Sequence, residues 1–521
     1  MRALPLLPLL FLPYAVAFKF LAYSPRFASS HVNFIAKLAD SLVERGHEVV
    51  ILSPIMDRSV KMGSTNASII SLPICSNCDR FERIMNDVLV SKLWTYKNMF
   101  DLFEGMEESL NAWTNRCNET LHYPGLIERL RNEKFDVAFG ESANSCFVGL
   151  VHLLGIEKYA LTDSVAINDL SYSFSHTPTN LAYVPGFMGG SEVMSFTQRF
   201  SNVLMYTMGK LTRQWSLKPF RQLFQVFDEN FPDIEELSAL NSLYFVNSEP
   251  LLDFPKITSA RVIDIGGIVV SNGAKSLNET WSSILDLRPR SILISFGSFA
   301  KSHLMPELYK KNIREVIKKF PDVTFIWKYE KPEHKISEGV DNLIETTWMP
   351  QNDLINDPRL SAFITHCGQG STSEASYAGI PLLVIPIAID QLRNAEQIKR
   401  NGLGVALNRD DLATAEPLEK AIKEILDNPV YSEKAKSVRK MLLERPFTMK
   451  EIFVRNMEFL ALHGPLRQLD HYGRHLSFAQ YYLLDIITVS LFVVLSIIVI
   501  LFFVSRRIFR AVFSLVKQKA D

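Results

Sequence analysis

From Phe18 onward the chain alternates short runs of β-branched and aromatic residues with amphipathic stretches of helical period, and it does so in two separate series. Parallel strands need a crossover long enough to hold a helix, so this alternation predicts βαβ units in open parallel sheets. The first series reads as strand Phe18–Ser24, a helix from about His31 to Arg45, strand Glu48–Ser53, and then Phe135–Gly140 and Tyr159–Thr162 with a helix between them. The second predicts strands at Ser291–Phe296, Val323–Lys328, Leu343–Glu345, Ser361–Thr365 and Leu382–Ile385, with helices near Pro306–Lys319, Asn352–Asn356, Gly370–Ala378 and Gln391–Arg400. The halves are expected at 18–280 and 281–463, the latter closed by helices between Tyr431 and His463. Ser271 to Pro289, rich in Asn, Gly and Ser, reads as the linker. Sheets of this kind bind ligands at the carboxyl ends of their strands.

Both ends of the chain point to a membrane. Met1-Arg2, an apolar run to Val16 and Ala15-Val16-Ala17 make the three parts of a signal peptide cleaved near Ala17. Ile486 to Val504 carries no charge, and 19 residues at 1.5 Å rise span roughly 28 Å, the depth of a hydrocarbon core. Asp485 precedes it, and Arg506, Arg507, Arg510, Lys517 and Lys519 follow. The positive side faces the cytosol, so the body should be lumenal, with 464–485 leading to the membrane and 505–521 as the tail. Lys517 and Lys519 resemble a dilysine retrieval signal of the endoplasmic reticulum.

Lys+Arg and Asp+Glu both number 56, which gives no electrostatic reason to expect nucleic acid. Five cysteines, an odd number, leave at least one thiol free or shared between chains. Cys75 and Cys78 stand as C-x-x-C without the second pair a zinc site needs, and a disulfide there or elsewhere stays open. Asn66, Asn118 and Asn278 begin glycosylation sequons.

The chemistry concentrates in three pieces: Trp348-Met-Pro-Gln351, Thr365-His-Cys-Gly-Gln-Gly-Ser371 with Glu374, and Asp390-Gln391. An aromatic ring can stack on a flat base. A glycine-flanked turn opening a helix presents N–H groups and a positive dipole end to a diphosphate, and a carboxylate one turn later can accept from ribose hydroxyls. These pieces resemble the signature of the UDP-glycosyltransferases, in detail the UDP-glucuronosyltransferases of animals, and the resemblance covers nearly the whole chain. It implies the GT-B arrangement of two Rossmann-like domains facing a cleft. It places Trp348 against uracil and Gln351 at the nucleotide. His366, Gly368, Gly370 and Ser371 fall at the diphosphate, Glu374 at the ribose, and Asp390 and Gln391 at the sugar, with Ser298 also in the donor-binding set. No metal and no cofactor beyond the donor substrate is expected.

His31 follows the first strand, on the cleft side. Resemblance to the family's Ser-His pair implies that it is the catalytic base, and a helix N-terminus is expected to hold it neutral. Glu141 stands where the family usually carries Asp to orient the imidazole, and its stem is one methylene longer. Asp136 and His47 match structural positions. Arg393, two residues past Gln391, could meet a sugar carboxylate, although a helix residue two positions from a contact faces elsewhere. The expectation is a single-pass endoplasmic reticulum enzyme that glucuronidates small lipophilic acceptors. The alternatives are UDP-glucose as donor or, in a different class, a membrane-anchored binding protein. Self-association of copies stays open.

Overall fold

The computed structural model describes residues 17–518 apart from 86–89, 98–104, 167–176, 178–179, 187–188, 271–275 and 299. The expected signal peptide and Lys519 therefore lie outside the described residues, save for Ala17 at the cleavage site. One compact unit ends at Arg467 and a second begins at Gln468.

The first unit holds two sheets, parallel throughout. Strands β1 (Lys19–Tyr23), β2 (Glu48–Pro54), β3 (Ser68–Leu72), β4 (Val137–Glu141), β5 (Tyr159–Asp163), β6 (Leu243–Val246) and β7 (Val262–Asp264) lie in the order β3-β2-β1-β4-β5-β6-β7. Strands β8 (Arg290–Ser295), β9 (Val323–Lys328), β10 (Leu343–Thr346), β11 (Leu360–Thr365), β12 (Leu382–Val384) and β13 (Gly404–Ala406) lie in the order β10-β9-β8-β11-β12-β13. The central strands are near-continuous apolar runs because helices cover both faces: Phe20, Leu21 and Ala22 on β1 and Ile292 and Leu293 on β8 are wholly buried. In each sheet the strand order reverses at one place, between β1 and β4 and between β8 and β11, and a crevice opens there at the carboxyl ends.

Four strands escaped the sequence reading. β3 and β7 are edge strands with partly solvated faces, and β7 and β13 are only three residues long, too short to show a period. β6, four apolar residues, is too short to tell from a helix core by pattern.

The helices that matter to the site and its frame are, in chain order, α1 (Ser29–Val43), α2 (Met106–Leu121), α3 (Ser145–Leu153), α4 (Phe196–Gln225), α5 (Glu279–Leu285), α6 (Glu307–Lys318), α7 (Gln351–Ile355), α8 (Gln369–Ala378), α9 (Gln391–Arg400), α10 (Ala415–Asp427), α11 (Pro429–Leu443) and α12 (Met449–His463), besides other short helices. On α1 the residues Val32, Ile35, Leu38, Ala39 and Leu42 recur at helical spacing and are buried on one face. A disulfide between Cys117 and Cys146 ties α2 to α3, a second joins Cys75 to Cys78, and Cys367 is a buried free thiol.

The expected linker is a correction, because α5 lies inside it. Asn278, read as loop chemistry, is the helix cap, its Oδ1 accepting the Trp281 N–H at 3.0 Å, while Leu285 enters the core of the second lobe. Two segments cross between lobes. Leu93 and Trp94 of the first half sit in the second lobe's core. In return α12 packs on the first sheet, Phe453 meeting Phe245 with ring centroids 4.9 Å apart and Glu458 bonding His47 Nε2 at 3.0 Å. Beyond Gln468, α13 (Leu484–Gln518) contains a stretch, Leu484–Leu515, long and apolar enough to cross a membrane. It outruns the expected 486–504 at both ends.

Candidate functional site

In the first lobe the site begins where β1 and β4 separate. His31 stands in the first turn of α1 and Glu141 is the last residue of β4. Their side chains meet, His31 Nδ1 lying 2.5 Å from Glu141 Oε2, with Ser164 Oγ 2.9 Å from the same nitrogen. The Ser164 N–H donates to Glu141 Oε1 at 3.1 Å, so both carboxylate oxygens are used and the longer stem of Glu is held in one pose. Nδ1 must carry the proton to satisfy the carboxylate, which leaves the lone pair of Nε2 available. The direction of the imidazole pKa is set by charges that the sequence did not place beside it. Burial pulls the His31 pKa down, but the Glu141 carboxylate, aided by Asp163 and Asp390, outweighs it and the net direction is up.

In the second lobe the turns after β8, β10, β11 and β12 converge. His366 is buried between two glycines: a Cβ at Gly297 would lie 2.6 Å from its Cε1, and one at Gly368 2.6 Å from its Nε2. Gly297 also has φ +78°, so the turn requires glycine twice over. Burial, reinforced by nearby Lys328, pushes the His366 pKa down to about 4, so this imidazole is neutral. Ser298 and Gly370 are exposed beside it. Gln351 Nε2 donates to Glu374 Oε2 at 2.7 Å and to Ser371 Oγ at 3.3 Å, which brings three sequence-chosen residues into one cluster. Trp348, just before α7, is 68% exposed. Gln391 turns inward, its Oε1 accepting the N–H groups of Ile387 and Ala388 at 2.8 and 3.0 Å. The backbone is strained on both sides of the cluster: Cys367 has φ +66° and Ile389, β-branched, φ +63°.

The two halves face each other. Asp390, half-buried, receives Asn394 Nδ2 at 2.8 Å and the Gln369 N–H, and its charge reaches His31. Gln369 Nε2 donates to Asn247 O at 2.8 Å, and Asn247 Nδ2 donates to Ser164 O at 2.9 Å, a path of hydrogen bonds from the first residue of α8 to the partner of His31.

The UDP-glucoronosyl and UDP-glucosyl transferase family model matches residues 21–519. The chain belongs to this family. It is 31% identical over 505 residues to "Putative UDP-glucuronosyltransferase ugt-48" of Caenorhabditis elegans, covering 94% of each chain. It is 26% identical over 478 residues to human UDP-glucuronosyltransferase 1A8, covering 91% of this chain and 88% of the human one. Among solved structures, Os79 from O. sativa in complex with U2F and trichothecene aligns with TM-score 0.57 at 16% identity, over 85% of this chain and 100% of that one. Glycosyltransferase VinC in complex with dTDP aligns at 0.55 and 15%, over 86% and 100%. These likenesses establish the GT-B fold, and the family makes the protein an enzyme that transfers a glycosyl group from a UDP-sugar.

Within this UDP-glycosyltransferase, Arg393 is engaged elsewhere. Its guanidinium is buried, lies 2.6 Å from Asp253 Oδ1 and stacks over Phe254, so it clamps the two lobes together. That ion pair, with Lys256, holds the Asp253 carboxyl far below its usual range against its burial. The sequence reading missed Ser164 and Lys328. Ser164 lies just beyond the end of a buried strand, where a serine carries no signal. Lys328, whose Nζ donates to Gly297 O at 2.8 Å and whose pKa is lowered by burial, ends an apolar strand, and a charge in that place was a readable signal.

Proposed function

We propose that the enzyme transfers glucuronate from UDP-glucuronate to a hydroxyl of small lipophilic acceptors with inversion, His31 acting as general base. The observation that carries this reading is the His31–Glu141 pair in the wall of an aromatic-lined cavity, with the charge of Asp390 from the second lobe reaching the imidazole. In the reaction Nε2 takes the acceptor proton as the oxygen attacks the anomeric carbon. The bond from that carbon to the diphosphate oxygen breaks, and UDP leaves on the opposite face. Glu141 stabilises the imidazolium that forms. Charge on the leaving diphosphate meets the N–H groups at the start of α8 beyond that of Gln369, which Asp390 takes, and the N–H of neutral His366. Trp348 stacks on uracil, Gln351, Ser371 and Glu374 hold the nucleotide, Gly368 and Gly370 let it approach the turn, Ser298 lines the donor site, and Asp390 and Gln391 contact the sugar.

Glucuronate rests on the names of the relatives, since the one basic residue suggested for its carboxylate is committed to Asp253. UDP-glucose is the second reading, favoured by the breadth of the family description. The single apolar helix supports membrane anchoring. A lumenal body retained in the endoplasmic reticulum extends that support with the signal peptide and dilysine tail read from the sequence. Measuring UDP release with each donor and a panel of phenols tests the assignment: glucuronate should support turnover and His31→Ala should abolish it. Turnover with UDP-glucose alone would replace the donor.

A further inference from the structure

The segment that follows β6 is a seam along which the first lobe meets the second. Arg445, just beyond α11, reaches Glu249. Arg393 and Gln397, both on α9, reach Asp253 Oδ1 at 2.6 Å each. At the head of the seam Gln369 Nε2 donates to Asn247 O at 2.8 Å. A carbonyl can only accept, so the nitrogen of the Gln369 amide is the atom that faces Asn247.

What Gln369 and Asn247 hold at their other ends sets this contact apart from the ion pairs below it. The N–H of Gln369 goes to Asp390, at the proposed sugar site. Asn247 is buried, its N–H closes the last rung of the sheet on Asp163 O at 2.9 Å, and its Nδ2 donates to Ser164 O at 2.9 Å. β5 ends at Asp163, so Ser164 is the first residue past the strand, and the Asn247 amide holds it there. Ser164 in turn grips both members of the catalytic pair. Its N–H goes to Glu141 Oε1 at 3.1 Å and its Oγ lies 2.9 Å from His31 Nδ1. Play at the Gln369 contact therefore passes through one buried side chain to the residue that fixes the imidazole.

We propose that Gln369 is a positioning residue for His31, holding the base in its working pose only while the donor turn is docked against Asn247. This rests on the general-base reading above and adds the condition under which the base works. Proton removal is then confined to the docked state, because a base displaced by a fraction of an ångström loses much of its effect.

The test uses full-length enzyme in lipid nanodiscs with two para-substituted phenols, 4-nitrophenol, which parts with its proton readily, and 4-methylphenol, which does not. A misplaced base matters most where the proton is hardest to remove. Gln369→Met keeps the helix, the unbranched side chain and the N–H to Asp390 but has no amide to donate. It should lower kcat/KM for 4-methylphenol by about 2- to 10-fold, the weight of one neutral hydrogen bond. The loss should be smaller for 4-nitrophenol, and the calorimetric Kd of UDP should stay within about twofold. Asn247→Ala cuts the same path further on and should show the same dependence on acceptor acidity. Adding Gln369→Met to it should lower the rate no further, because a severed path cannot be severed twice. Equal losses on the two phenols in both single variants, or single losses that multiply in the double variant, overturn the proposal. So does a fall in UDP affinity that matches the loss in rate, which would make Gln369 a donor contact. His31→Ala separates the two readings. If its loss ignores acceptor acidity, the general base fails and this proposal falls with it; if its loss follows acidity and that of Gln369→Met does not, this proposal alone fails.

Discussion

The two halves of the site are built differently. On the donor side Trp348, Gln351, His366, Glu374 and Asp390 come from successive strand-to-helix turns of one sheet, and the hydrogen bonds among them span short stretches of chain. On the acceptor side the imidazole of His31 is held by Glu141 and Ser164, which is held in turn by Asn247, residues contributed by four different strand ends of the first sheet. The donor is a fixed molecule that consecutive turns can each grip in part. The acceptor cavity is a gap between elements far apart in sequence, so its shape can change through one distant side chain without touching the base.

That difference predicts separable damage, with the largest effect on the acceptor side. His31→Ala should cost about 10²–10⁴ in kcat, the usual weight of a general base, while calorimetric binding of UDP stays within about twofold. A matching loss of UDP affinity would mean that the halves are not independent. Arg393→Ala attacks the clamp between lobes rather than either half. Breaking a buried pair of this kind typically costs about 3–5 kcal/mol of stability, so denaturant unfolding should register it, with kcat/KM for UDP-glucuronate and UDP-glucose falling alike. A loss confined to UDP-glucuronate would restore Arg393 to the sugar site. Trp348→Ala should weaken UDP by about 1–3 kcal/mol, the scale for removing an aromatic from a stacked base, and leave kcat at saturating donor nearly unchanged. Unaltered UDP affinity would take uracil off the exposed indole.

How much of this could be read from the sequence follows the same division. The central strands and the donor residues were legible because each carries its own signal, an apolar run in β8 or a glycine-flanked turn after His366. The acceptor side gave up only His31 and Glu141, through resemblance. Ser164 has an ordinary residue type, and its importance comes from hydrogen bonds made across the fold. α5 was hidden because Asn278 serves equally as a loop residue and as a helix cap. The upward direction of the His31 pKa was not legible, because the charges of Asp163 and Asp390, the latter from the opposite lobe, converge only in three dimensions.

The smallest effect is therefore the most pointed, since it tests whether the opposite lobe tunes the base. On the proposed mechanism catalysis needs neutral His31, and its pKa is raised, so kcat/KM should climb with pH through a midpoint above the ordinary imidazole value of 6.5. Below that midpoint the imidazole is protonated and the enzyme idle; above it the rate levels off. Glu141→Gln keeps the shape and removes the largest raising charge, leaving burial to pull the other way, so the midpoint should move to lower pH. Its plateau rate should also fall, by less than in His31→Ala, because the imidazolium formed in the reaction loses its counter-charge. Asp390→Asn removes a smaller share of the field and should move the midpoint in the same direction by less, whatever it does to donor KM. Profiles of the three enzymes between pH 5 and 9 on one phenol decide it. A midpoint that rises or stays in Glu141→Gln would dismiss the carboxylate as the source of the shift, and one that shifts there but not in Asp390→Asn would confine the tuning of the base to its own lobe.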